Sequence, residues 1–261
     1  FTYVTEKTSK DKTNATFVVL KKILDGEYGT VMGDGIENAA KIRVDTTVGL
    51  NEFYSERNGA EELVSVKRNE GGFVHIMNNE AFNDKESERC KFKTTMLITK
   101  VTRTEADPEK NIQEKVNVSG FVFDFRKALL PVTYTVLNEG GMNYFEGLEA
   151  SAKNPVLTDV WGKEVSTTVV RTVTKESSWG DAEVQEFKNT YRDFIITGSL
   201  KEPYIFDDES TYTVDELTKA MAERENYLAT IKQRRDDYLA SKKTSATSAT
   251  ASTAGNGGFN F

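Results

Sequence analysis

The sequence has few of the residues that most metal and cofactor sites require. It contains one Cys and one His among 261 residues. A single thiol cannot form an intramolecular disulfide, and one Cys with one His cannot build a multi-Cys or multi-His zinc site. No apolar run reaches the ~18 residues that a membrane helix needs. We therefore expect no metal, no cofactor and no membrane span, and the lack of a disulfide framework favours the cytoplasm.

Charge and aromatic content narrow the class of protein further. The chain has 41 acidic and 34 basic residues, giving a net charge of −7. This balance disfavours coating of DNA by the whole surface, but it is compatible with a local basic groove. Fifteen Phe and ten Tyr argue against general disorder, because disordered chains are poor in aromatics. The length suits one large domain or two small ones.

The first region, residues 1–212, is predicted to be mainly β. Strand patterns with alternating or branched apolar residues occur at 41–50, 63–67, 73–77, 91–104, 115–130, 131–137, 165–173 and 192–200. Residues 68–72 resemble a hairpin connection, and 142–153 are a short helix candidate. Gly120 predicts a bulge or a close approach of two backbones. This pattern suits a small β-barrel or sandwich rather than a parallel α/β sheet.

The second and third regions are a helix at 213–243 and a low-complexity tail at 244–261. Thr213 and Glu216 have the spacing of a capping box, in which each side chain accepts from a free amide of the first turn. The helix either docks on the barrel or joins two protomers as a short coiled coil. The tail lacks apolar periodicity and is predicted to be disordered. Its Phe259 and Phe261 are candidate ligands for a partner protein, unless these terminal aromatics are incidental.

Enzyme signatures are weak along the whole chain. The glycines of 25–35 lack the Lys-Ser/Thr of a phosphate-binding loop and are predicted to form turns. His75 lies within a strand pattern, and Cys90 has no partner base nearby in the sequence. Asp124 is a candidate buried carboxylate that more simply pairs with a cation, and the acids at 207–209 suit a solvated loop. We therefore predict that the chain is not an enzyme.

Cations and aromatics are interleaved in several strand patterns. Single-stranded nucleic acid binders combine a cationic groove with aromatic faces on which bases stack. The candidate phosphate contacts are Arg43, Arg57, Lys67, Arg68, Lys91, Lys93, Arg126 and Lys127. The candidate stacking residues are Tyr54, Phe73, Tyr134 and Trp161. Each residue alone is also compatible with having no binding role, because cations on strands are usually solvated and alternating aromatics usually pack in the core.

A β-barrel followed by a low-complexity tether and an aromatic tip resembles the OB-fold single-stranded DNA-binding proteins of bacteria and their phages. The resemblance is carried by 63–75, 120–132 and 196–209, and extends roughly over 50–238. It implies an OB-like barrel that binds single-stranded DNA and a C-terminal tip that recruits replication or recombination proteins. The chain departs from the family in two ways: residues 244–261 contain no acid, and the helix at 213–243 is not part of a minimal barrel.

These observations together predict sequence-independent binding of single-stranded DNA in phage DNA replication or recombination. An alternative is a non-enzymatic structural or assembly protein of a phage virion, which would explain the Thr-rich strands, the acidic surface and the flexible tail. An enzyme or a nuclease-associated factor is a third alternative, and a protein-binding adaptor is a fourth. The sequence leaves open the preference for DNA or RNA and whether the protein is a homo-oligomer.

Overall fold

The computed structural model describes residues 4–57, 59–77, 85, 88–110, 112–124, 126–175, 179, 183–206 and 212–251. The fold is mainly β, as predicted. In chain order the elements are α1 (Ala15–Leu24), α2 (Val31–Asn38), β1 (Ile42–Arg57), β2 (Ala60–Ile76), β3 (Lys91–Thr104), β4 (Lys115–Phe123), β5 (Leu129–Val136), α3 (Glu139–Gly147), β6 (Val156–Lys175), β7 (Glu183–Ser199) and α4 (Val214–Ala251).

Five strands close into a barrel in the order β3-β4-β5-β7-β6. Neighbouring strands are antiparallel except β5 and β7, which are parallel and paired through Thr135 and Ile195. Counted along the chain, the barrel order is 1-2-3-5-4, and the short helix α3 connects the third strand to the fourth. This is the five-stranded Greek-key arrangement of an OB-like barrel, so the predicted fold class is confirmed.

The barrel interior follows from strand alternation. Val116, Val118 and Val122 of β4 face inward and are buried, as expected for every second residue of a half-buried strand. Gly120 occupies the same face, where a Cβ atom would lie 2.0 Å from the carbonyl oxygen of Leu97. The pairing register of β3 shifts at this point. The predicted close backbone approach at Gly120 is therefore confirmed.

β1 and β2 form a long antiparallel hairpin outside the barrel. The predicted connection at 68–72 is wrong, because these residues lie within β2, where 68–70 pair with β1 and Gly71 and Gly72 lie at a register shift. The hairpin turns between Arg57 and Ala60 instead, where Gly59 has a φ of 77°. The dipeptide Asn58-Gly59 is a strong hairpin signal that the apolar pattern alone did not reveal.

Two helices precede the hairpin, although the sequence predicts β structure and turns there. α1 begins where the Asn14 side chain accepts a hydrogen bond of 3.1 Å from the Thr16 amide. α2 begins at Thr30, whose hydroxyl accepts from the Gly33 amide while Asp34 accepts from the Thr30 amide. Local capping therefore outweighs the β propensity of Thr and Val in this segment. The predicted barrel region thus also contains two helices and a hairpin.

The capping box before α4 is confirmed. The Thr213 amide donates to Glu216 at 3.0 Å, and the Glu216 amide donates to the Thr213 hydroxyl at 3.2 Å. α4 continues to Ala251, past the predicted end at residue 243, because alanine is the strongest helix former and recurs there. Residues 252–261, with Phe259 and Phe261, lie outside the described part of the chain. No helix in the described ranges has the length and apolarity to cross a membrane.

The first half of α4 docks within its own chain, which is one of the two predicted arrangements. Leu217 and Ala220 are buried, and Arg224 makes two hydrogen bonds of 2.6 Å to Glu52 of β1. Further along, Arg235 forms an ion pair with Glu61 of β2. α4 thereby fixes the hairpin relative to the barrel.

Candidate nucleic-acid interface

The hairpin is held against one side of the barrel by the middle of both its strands. Val48 of β1 packs on the barrel core. Lys67 Nζ of β2 donates to the carbonyl oxygen of Thr133 of β5 at 3.3 Å. Asn69 Nδ2 donates to Glu164 Oε2 of β6 at 3.1 Å. These contacts bring polar groups of β2 beside the third and fourth barrel strands.

A groove of about 730 Å³ runs between β2 and β7. One wall consists of residues 65–69, and the other consists of 190–192 with Phe194. A second cavity, of about 360 Å³, lies between β1 and β3 and shares Val48, Asn69, Glu164 and Phe194 with the groove. The two spaces therefore form one continuous concave region where the hairpin meets the barrel, which we call the junction groove.

Three cations line the part of the junction groove that lies between β2 and β7. Lys67 Nζ lies 5.6 Å from the centre of the Phe194 ring, and among the described residues no carboxylate is within ion-pair distance of it. Burial lowers the pKa of Lys67, and the more distant charge of Asp193 only partly opposes this. Arg68 pairs with Glu70 beside it, and Arg192 Nε lies 3.8 Å from Glu164. Lys67 is thus a cation that a bound anion would stabilise.

The aromatic residues near the groove divide into an exposed group and a buried group. Tyr191 lines the groove and is 56% exposed. Phe92, Tyr134 and Phe194 form an interlocked cluster with ring centres 5.0 to 5.5 Å apart. Tyr134 is only 1% exposed, and burial raises the pKa of its phenol. The prediction that Tyr134 stacks on bases is therefore wrong, because its ring fills the barrel core.

The structure brings four predicted phosphate contacts to the junction groove. Lys67 and Arg68 lie in its main part, and Lys91 and Lys93 line the adjoining cavity. Lys91 Nζ is 3.7 Å from Glu88, and Lys93 Nζ is 3.7 Å from Asp159. Both lysines are exposed, whereas Glu88 and Asp159 are partly buried. Long ion pairs of a solvated lysine contribute little to stability. These cations can therefore exchange a carboxylate for a phosphate at small cost.

The other predicted residues of the hairpin lie away from this groove. Arg43 pairs with Asp45 at 3.1 Å, and the 67% exposed Phe73 lines a separate cavity beside α1. Tyr54 lies under Lys232 of α4, with Nζ 6.0 Å from the ring centre. The side chain of Arg57 is outside the described part of the structure. Alternation identified the outward residues of the strands without showing which element would cover them.

Of the two predicted residues in the β4–β5 turn, Lys127 holds α4 in place. Lys127 Nζ donates to Glu216 at 2.6 Å and lies 5.4 Å from the Tyr212 ring centre. The hydrogen bond to Glu216 raises the pKa of Lys127. The Arg126 amide donates to Asp124, whose carboxylate shapes the turn. The candidate stacking residue Trp161 is partly exposed and covers Gly198 of β7, away from the groove lining.

The remaining chemical groups do not form a second site. His75 Nε2 lies 3.3 Å from Asp45 on the exposed hairpin. Cys90 is exposed. Asp124 accepts from the amides of the turn that it begins, and the acids at 207–209 lie outside the described residues. Within the described ranges, no three His, Cys, Asp or Glu side chains are placed to hold a metal ion.

Sequence reasoning missed Asn69, Tyr191 and Arg192 in the groove wall. Asn69 was assigned to a connection rather than a strand, and the strand pattern was taken to begin at residue 192. Residues 184–191 include Val184, Phe187 and Tyr191, whose spacing is compatible with an extended β7. The missing information was the position of β2 beside β7, which depends on contacts remote in sequence.

A protein-family model, YorF, matches residues 2–234. The chain belongs to the YorF family. The match covers α1, α2, the hairpin, the barrel and the part of α4 that docks on the hairpin, so the junction groove lies wholly within the YorF region. No curated protein and no solved structure matches the chain significantly.

Proposed function

We propose that this YorF-family chain binds single-stranded DNA in the junction groove, independently of sequence, during phage DNA replication or recombination in the host cytoplasm. The observation that carries the proposal is the groove itself, where Lys67, Arg68 and Arg192 flank the exposed ring of Tyr191. OB-fold barrels bind oligonucleotides on the face of their second and third strands, beside the connection between strands four and five. Here Lys67 contacts the third barrel strand, and Tyr191 lies where the fifth strand leaves the barrel.

The groove chemistry suits recognition of the backbone. Lysine and arginine side chains neutralise phosphates, and this interaction carries no sequence information. A base stacked on Tyr191 would contribute roughly 1–3 kcal/mol, and every base offers a suitable face. The half-buried Lys67 is the central cation, because a bound phosphate would supply the negative charge that its surroundings lack. We therefore expect binding to be tight at low salt and tolerant of sequence.

Fluorescence anisotropy of a labelled oligo-dT tests the proposal. The Lys67→Glu, Arg68→Glu double variant should lose most of its affinity. Each phosphate contact to a single strand contributes about 0.7 to the slope of log affinity against log salt, so we expect this slope to fall by about 1.4. The matched control is Lys10→Glu, Lys153→Glu, which makes the same charge change at two exposed positions away from the groove. RNA and duplex competitors then measure strand preference.

Two results would overturn the proposal. One is the absence of salt-sensitive binding by the wild type even at low salt. The other is equal loss of affinity in the groove variant and in the control, which would assign binding to net charge. We also propose that Phe259 and Phe261 recruit a replication or recombination protein. Deleting these two residues should leave oligo-dT affinity unchanged.

A structural role in the phage virion is the second candidate function. The part of β6 and β7 beyond the barrel exposes Val165, Val169, Phe187 and Tyr191, and exposed apolar surface is typical of assembly contacts. This role requires multimers that persist at high salt and no binding of oligo-dT. Sedimentation at two salt concentrations, alongside the anisotropy titration, separates the two functions.

A further inference from the structure

Beyond the barrel, β6 and β7 continue as a two-stranded ribbon whose β7 edge is free. The pairing of β6 with β7 extends as far as Lys175 and Glu183, and residues 184–193 are all exposed. β5 pairs with β7 only through Thr135 and Ile195. Among the described residues, no strand pairs with the second edge of β7 over 184–193. A free edge of this length is a template for another strand, and an isolated two-stranded ribbon is marginally stable.

When two copies of this edge run antiparallel, the residues of one copy match those of the other in charge and in aromatic character. Residues 186–192 read Glu-Phe-Lys-Asn-Thr-Tyr-Arg. An acid and a base occupy the two ends, and an aromatic lies just inside each end. We propose that two copies of this chain pair antiparallel along β7, with the two-fold axis at Asn189. Glu186 then lies opposite Arg192 of the second copy, and Phe187 lies opposite its Tyr191.

The charges of the edge select this register. Moving the axis to Lys188 places Lys188 opposite its own copy, and moving it to Thr190 places Lys188 opposite Arg192. Like charges directly opposite each other destabilise an antiparallel pair, whereas opposite charges and aromatic pairs stabilise it. An axis at Phe187 would place Glu186 opposite Lys188, but it would leave Tyr191 and Arg192 without a partner from 186–192. The register centred on Asn189 pairs Arg192 with Glu186 and Tyr191 with Phe187, so it joins the whole segment.

The side chains that would pair across the dimer are exposed and make only weak contacts within their own chain. Glu186 and Lys188 are 3.9 Å apart and both exposed, and Arg192 is 3.8 Å from Glu164. Glu164 is partly buried, but both contacts are long and each involves an exposed cation. Exchanging them for pairs with the second copy therefore costs little free energy. Phe187 is 50% exposed and lies on the same ribbon face as Tyr191. The paired ribbons would form a four-stranded sheet in which these four rings gather on one face.

Charge-exchange variants test the dimer, and sedimentation equilibrium measures its dissociation constant. Nucleic acid is left out of the samples, because Tyr191 and Arg192 also line the junction groove. Glu186→Arg and Arg192→Glu each create two like-charge pairs per dimer, and each should raise the dimer dissociation constant about tenfold or more. The combined Glu186→Arg, Arg192→Glu variant restores opposite charges and should return to within about threefold of the wild type. A monomeric wild type, or a double variant as weak as the singles, would overturn the proposal.

Disulfide trapping tests the register independently. In a Cys90→Ser background, Asn189→Cys places two thiols opposite each other across the axis, within the Cα separation that a disulfide spans. Lys188→Cys and Thr190→Cys are the matched controls, because each should fail to cross-link to itself. A mixture of these two control variants should form a covalent heterodimer. Equal self-cross-linking at all three positions, or a dimer trapped at none of them, would contradict pairing centred on Asn189.

Discussion

Removing the guanidinium of Arg224 should destabilise the fold more than any exposed charge change. The Glu52 side chain is 1% exposed and that of Arg224 is 10% exposed. Arg224 donates two hydrogen bonds of 2.6 Å, and the Ser65 hydroxyl donates a third of 2.7 Å. The Arg224→Ala variant would leave a buried carboxylate without its counter-charge. Breaking a buried pair in this way costs about 3–5 kcal/mol.

This loss of unfolding free energy corresponds to a large decrease in Tm. For a chain of this size, 1 kcal/mol corresponds to about 2–4 °C, so Arg224→Ala should lower Tm by roughly 6–20 °C. Replacing both partners, as in Glu52→Leu, Arg224→Leu, removes the charge together with its partner. Such replacements are often neutral or stabilising, so this variant should melt well above Arg224→Ala.

Circular dichroism melting of the wild type and both variants measures these differences. The exposed pair of Lys219 and Glu223, 3.9 Å apart in α4, provides the control, and Lys219→Ala should change stability by less than about 0.5 kcal/mol. The reasoning is refuted if Arg224→Ala costs no more than this control. It is also refuted if the double leucine variant is as unstable as the single alanine variant.

Three further predictions follow from pKa shifts and close contacts. Burial alone would raise the pKa of Glu52, but hydrogen bonds from Arg224 and Ser65 hold it below its ordinary value of 4.5. Urea titrations should therefore show the advantage of wild type over Arg224→Ala in full at neutral pH. The advantage should begin to fade above pH 4.5, where the unpaired Glu52 of the variant takes up a proton, and should fall further as the wild-type carboxylate is protonated. Gly120→Ala should lower the free energy of unfolding by about 1–3 kcal/mol, because the added Cβ atom forces two strands apart. Gly147→Ala is the control: its Cβ atom would meet nothing within 4 Å, so thermal melting should show no destabilisation. Because burial lowers the pKa of Lys67 from 10.5, anisotropy should show oligo-dT affinity falling before the pH reaches that value, with Lys67→Arg resisting the loss.

The barrel and α4 were predictable because their signals are local. The pattern at 91–104 coincides with β3, and the alternating pattern at 115–130 begins where β4 begins, at Lys115. Thr213 and Glu216 marked the start of α4 by their spacing alone. The partner of β2 was not predictable from apolar periodicity, since that signal does not show which strand lies alongside. The turn dipeptide Asn58-Gly59 would have supplied it.

The site was less predictable than the fold because it depends on closure of the barrel and placement of the hairpin. Tyr134 and Tyr191 both occur in extended, alternating segments, yet one ring is enclosed by the barrel and the other lies at the groove. Lys67 and Lys127 are both exposed cations in the sequence pattern. Lys67 lies against the third barrel strand, and Lys127 donates a hydrogen bond to α4. Only contacts between residues distant in the chain distinguish the two lysines.

The contact between Arg224 and Glu52 joins residues 172 positions apart, which has a consequence for synthesis. A ribosome releases β1 long before it releases α4, so the carboxylate of Glu52 stays hydrated while the barrel is being made. Contacts of such long separation form late and slow the folding of a domain. A chain truncated before α4 would leave the α4-binding face of the β1–β2 hairpin exposed. We expect proteases to cleave such a chain first at this exposed hairpin. Burial of the Glu52 carboxylate therefore has to wait until α4 has been synthesised.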